Sequence, residues 1–149
     1  MKLSLLPEGD IDGAQAWAKL IAHADASWVN LSQIHSDCDR GLAARGEMLL
    51  RAAAMYSPDP ELREAFAAVG RRLTRSVAHV LTQCQRDRVI HAEVDIHAAS
   101  TFYVMSMWGL LSALYVDPKA AGLIDRSFGM LRQFLESLRD GGHPRGVAA

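Results

Sequence analysis

Leu62, Phe66, Val69, Leu73, Val77, Leu81 and Cys84 recur at steps of 4, 3, 4, 4, 4 and 3. That rhythm belongs to one face of an α-helix and to no strand, which would repeat every second residue. It predicts a long helix from about residue 60 to 87. Arg63, Glu64, Arg71, Arg75 and Gln85 fall on the opposite face and read as a solvated surface. Ser57 or Asp59 in the SPDP segment can cap this helix, with Pro58 or Pro60 in its first turn, where a missing N–H costs nothing.

Other segments keep the same period. A first helix is expected from near Asp12, its N-cap, through Trp17, Leu20, Ile21, Ala24 and Trp28, ending around Arg40–Gly41. Leu42 to Tyr56 carries Met48, Leu49, Ala52 and Tyr56 on one stripe. After the loop RDRVIHAEVD, Asp95 is expected to cap a helix over Ile96 to Val116. The second half of that helix is apolar nearly all round, so it needs cover on more than one side. Asp117-Pro118 separates it from a final helix with two apolar stripes. One holds Ile124, Phe128, Leu131, Leu135 and Leu138; the other holds Leu123, Met130 and Phe134. Two such stripes exceed what one small core absorbs, and the surplus points to a second subunit. The expectation is an all-α bundle of about five to six helices. Residues 1–11 form a flexible leader, 12–139 one helical domain and 140–149 a disordered tail.

Composition agrees. The 149 residues include 23 Ala and 18 Leu, both strong helix formers. Sixteen Lys and Arg against seventeen Asp and Glu give a net charge of −1, which argues against binding nucleic acid through overall charge. Two cysteines make no disulfide framework. The most apolar stretch, Phe102 to Val116, has fifteen residues where a membrane span needs roughly 20. No signal peptide is evident, so the expected location is cytoplasmic.

Chemical motifs are scarce. The chain has no GxSxG, P-loop, HExxH or CxxC pattern, and reads as a non-enzyme without cofactor or metal. His35 and Cys38 share a helix face and could join Asp39 or His23 at a metal, but no second ligand pair stands at zinc spacing. His91 and His97 flank a turn and suit solvent-facing or capping roles. The basic run GRRLTR (70–75) could hold a phosphate, though a solvated face is the better reading because the chain as a whole is not basic.

The helix start DPELREAF (59–66), the capping Asp95 and the stretch DIHAASTFYVMSMWGLLSALYVDP (95–118), with Gly109, Leu110 and Leu111, come in a particular order. With the amphipathic final helix, that order resembles the C-terminal regulatory domain of TetR-type transcriptional repressors. The resemblance covers residues 57–139 well and 12–56 loosely. It implies a domain that dimerises through its last two helices as a four-helix bundle. Leu110, Leu114, Ile124, Phe128, Leu131, Leu135 and Leu138 are the expected interface. It also implies a pocket in each subunit for a small, largely apolar effector. Trp28, Met48, Met55, Tyr56, Phe66, Tyr103, Met107 and Trp108 are the large adaptable side chains assigned to that pocket, and the same residue types equally serve packing. Two features depart from the family. The turn after the long helix usually holds Gly at about the position of Arg88. The family's N-terminal helix-turn-helix has no counterpart in the roughly eleven residues before the first helix, so DNA contact would need a reader outside this chain. The alternative is a stand-alone helical interaction module that pairs with a complete regulator.

Overall fold

Three aspartates set the starts of three helices. Asp12 Oδ1 accepts the N–H of Ala14 at 2.8 Å, Asp59 Oδ1 that of Glu61 at 2.9 Å, and Asp95 Oδ1 that of Ala98 at 2.9 Å. Each satisfies a donor that the first turn leaves without an intrahelical partner. The computed structural model describes residues 9, 11–36, 57–116 and 121–139; at 28–36, 111, 114–116 and 121 it describes the backbone alone. Within them lie α1 (Gly13–Ser36), α2 (Pro60–Arg86), α3 (Ile96–Val116) and α4 (Ala121–Ser137). The chain is all-α over these residues, apart from an isolated antiparallel bridge between Ile90 and Arg139. The helix expected over Leu42 to Tyr56 lies outside the described residues. So do most of the leader and the tail.

α1 packs on α2, α2 on α3, and α3 on α4. The start of α1 meets the end of α2, because Asp87 Oδ2 accepts the N–H of Gly13 at 2.7 Å. Glycine is needed there: a Cβ at Gly13 would sit 2.8 Å from Cβ of Asp87 and 3.0 Å from the Gln83 carbonyl oxygen. The core gathers at this end. Leu20 and Ala24 of α1, Val77, Leu81 and Cys84 of α2, and Tyr103 of α3 are all buried, as is Leu135 of α4. The predicted α2 stripe is therefore covered in its second half only. Leu62 is 45% exposed and Val69 53%. Val69 stands nearly in line with the fully buried Val80, three turns on, so its exposure comes from the uncovered first half of α2 and not from its angle.

The turn after α2 follows the Schellman pattern. Val89 N–H donates to the Cys84 carbonyl at 2.8 Å, and Arg88 N–H to that of Gln85 at 3.1 Å. The pattern requires a left-handed residue between cap and chain, and Arg88 supplies it with φ 57°. From the helix side, Gln85 Nε2 donates to the carbonyls of Ala92 and Val94 at 2.9 and 3.0 Å, holding the loop to α2. His91 N–H then bonds the Leu138 carbonyl at 2.9 Å, fastening the same loop to the end of α4.

No helix among the described residues is long and apolar enough to cross a membrane.

Candidate functional site

α3 contains no Asp, Glu, Lys or Arg in its 21 residues. It therefore meets its surroundings through apolar and small polar groups on every side. One side carries Tyr103 and Met107, four residues apart and both buried. Here Tyr103 Oη lies 3.1 Å from Nδ1 of His23 on α1. Burial pushes the tyrosine hydroxyl well above its ordinary range, and the negative charge of Asp25 adds to that. Burial also lowers the affinity of His23 for a proton. Both shifts favour the neutral forms, so the pair is a hydrogen bond between uncharged rings. Beside it, Asp25 of α1 takes Arg132 of α4 at 3.0 and 3.2 Å. Three helices thus contribute to one polar group around Tyr103.

A second side of α3 faces α2 through Trp108. Its indole stands 4.7 Å, centroid to centroid, from the ring of Phe66. It also lies over Gly70, where a Cβ would be 3.2 Å from the indole edge. The third side is open. Phe102 is 51% exposed and Met105 64%, and Gly109 between them and the helix end has nothing within 4 Å of where a Cβ would stand. Phe134 of α4 leans on Phe102, while Leu123 and Met130 of α4 are exposed too.

The residues assigned to an effector divide accordingly. Phe66 and Trp108 come together at the α2–α3 contact, and Tyr103 and Met107 turn toward the core instead. The Trp28 side chain, Met48, Met55 and Tyr56 lie outside the described residues. Among the residues assigned to an interface, Ile124, Phe128, Leu131, Leu135 and Leu138 are all buried within the chain. Their burial puts them in the chain's own core rather than on an open face. Leu110 is half-buried, and the Leu114 side chain is outside the described set. The open apolar stripe of α4 is the neighbouring one.

Asp25 and Arg132 were not legible as a pair, being 107 residues apart with no local pattern to link them. His23 stood out only as a possible metal partner. Among the described residues no group of three or more His, Cys, Asp or Glu could hold a metal. Cys84 is buried, and burial pushes its thiol up to about 11, which makes it a poor nucleophile. Compared with known proteins, the chain matches no protein-family model, no curated protein and no solved structure.

Proposed function

We propose that this chain is the small-molecule-binding and dimerisation domain of a TetR-like transcriptional regulator working in the cytoplasm. The observation behind this reading is the open side of α3. A helix with no Asp, Glu, Lys or Arg leaves Phe102, Met105 and Gly109 uncovered beside Phe134, Met130 and Leu123 of α4. Apolar surface of this kind on the last two described helices suits an isologous contact with a second copy, since a two-fold pair presents the same patch from both sides. Gly109 lets a partner helix approach closely.

The effector would act among the middle helices, where Trp108 and Phe66 offer an aromatic wall. Its effect is a population shift. Only a difference in affinity between two helix arrangements can move the spacing of attached DNA readers.

Sedimentation and a thermal-shift screen test the two halves of the proposal. A dimer that is stabilised by hydrophobic cations, acyl compounds or aromatic metabolites supports it. A particle that stays monomeric at high concentration and is silent to the whole panel overturns it. A chain that sediments as a monomer alone and pairs only with a complete regulator subunit is the stand-alone interaction module.

A further inference from the structure

Gln83 is only 3% exposed, a polar side chain set between Leu81 and Cys84 near the end of α2. Its amide oxygen accepts the backbone N–H of Ile11 at 3.4 Å, and its amide nitrogen donates to the Gly9 carbonyl at 3.2 Å. A backbone N–H only donates and a carbonyl only accepts, so these two bonds fix which end of the amide is which. The same amide nitrogen stands 2.8 Å from Nε2 of His79, one turn earlier on α2. Since the amide nitrogen is the donor, Nε2 of His79 has to present a lone pair. The ring is then neutral, with its proton on Nδ1.

An imidazolium carries N–H on both nitrogens and would set donor against donor. Turning the amide over satisfies a protonated His79 but places nitrogen against the Ile11 N–H and oxygen against the Gly9 carbonyl. Both backbone bonds fail in that orientation. The other charged groups at this end of the molecule are carboxylates and guanidinium groups, and the loop after α2 adds a second imidazole, His91. Asp12 caps α1, and Asp87 holds Gly13 N–H and pairs with Arg86. Arg75 lies one turn before His79 and is exposed. Carboxylates and guanidinium groups do not change state between about pH 5 and about pH 8, and imidazole does.

We infer that His79 and Gln83 form a proton-operated latch on the segment leading into α1. With His79 neutral, Gln83 holds Gly9 and Ile11 against the end of α2. With His79 protonated, the amide turns and Gly9 and Ile11 come away, while α1 stays seated through the separate bond from Gly13 to Asp87. The latch depends on no assignment of effector or partner.

Amide hydrogen exchange followed by NMR across the histidine range tests this on the full chain, with rates normalised to those of an unstructured peptide. The His79 ring is titrated in the same samples. Protection at Ile11 is expected to fall about tenfold as His79 takes its proton, the scale of losing one or two ordinary hydrogen bonds, while Gly13 stays protected. In His79→Gln an amide oxygen replaces the ring lone pair and cannot titrate, so Ile11 protection is expected to stay flat. Constant protection at Ile11 through the His79 titration overturns the latch. So does the same fall in His79→Gln, or a loss shared equally by Ile11 and Gly13.

Discussion

The rings of Phe102 on α3 and Phe134 on α4 meet with centroids 4.5 Å apart and planes 59° apart. Phe102 is nevertheless 51% exposed, so the contact forms a ridge on the surface rather than a piece of core. Edge-inclined packing of this kind adds about 1 kcal/mol to the area it buries. It fixes α4 against α3 and leaves Met105 standing clear next to it.

Replacing Met105 by Glu places a charge on that ridge without touching the core. If two copies pair there, the charge is buried twice in each dimer. Dissociation by tenfold or more is expected, about 1.4 kcal/mol at the least, with the far-ultraviolet helix signal unchanged. Sedimentation velocity reads the outcome, and an unaltered coefficient for Met105→Glu speaks against pairing through this face.

Gly13 and Gly109 should respond in opposite senses to alanine. At Gly13 the new methyl runs into Cβ of Asp87 at 2.8 Å and the Gln83 carbonyl at 3.0 Å. Gly13→Ala is expected to cost about 1–3 kcal/mol, as overpacking does. At Gly109 the methyl meets nothing within 4 Å in the single chain. In the separated chain, unfolded at a concentration too low for pairing, Gly109→Ala gains about 0.5–1 kcal/mol from reduced backbone entropy in the unfolded chain. Urea unfolding of both variants decides it.

Arg88 holds a left-handed conformation at φ 57° that glycine adopts at no steric cost. Arg88→Gly keeps every backbone bond of the turn and relieves the strain of the Cβ. A gain of about 1 kcal/mol is expected, which raises Tm by about 3 °C in a domain of this size. Calorimetry that shows no increase would mean that the arginine side chain supplies an equal contact.

His23 has a folded-state pKa below its ordinary 6.5, because burial disfavours the charged ring. The unfolded chain therefore takes up this proton first as the pH falls. The contribution is fully present above pH 6.5 and is lost as the pH drops through that value toward the folded pKa. His23→Gln keeps a partner for the Tyr103 hydroxyl but does not titrate. Its stability should vary less with acidification than that of the wild type, as read from denaturant midpoints at several pH values.

Cys84 should be silent to alkylation in the folded protein. Its sulfur is buried and donates to the Gly13 carbonyl at 3.4 Å, and its thiol is pushed up to about 11. Peptide mapping after treatment at mild alkaline pH is expected to show Cys84 unmodified until denaturant is added. Rapid labelling of the native protein would place the thiol outside the core.

Local chemistry was the legible part of this chain. Asp12, Asp59 and Asp95 announce helix starts because a capping carboxylate acts within three residues of itself. The bounds of α3 followed from Asp95 and Asp117-Pro118. Which apolar stripe faces inward was harder to read. Ile124, Phe128, Leu131 and Leu135 differ little in character from Leu123 and Met130, and only the position of α3 decides between them. The His23–Tyr103 and Asp25–Arg132 pairs were invisible because they join helices far apart in sequence. Gln83 was hidden in another way, since its partners in the segment before α1 are main-chain groups that any residues would supply.

Gln85 fastens the loop before α3 by gripping carbonyl oxygens, not side chains. Evolution is thereby left free to redraw the exposed positions 92 and 93 almost at will, provided the number of residues does not change. One inserted residue would carry the oxygens of Ala92 and Val94 out of the amide's reach, so deletions and insertions, rather than substitutions, are what this connection cannot survive.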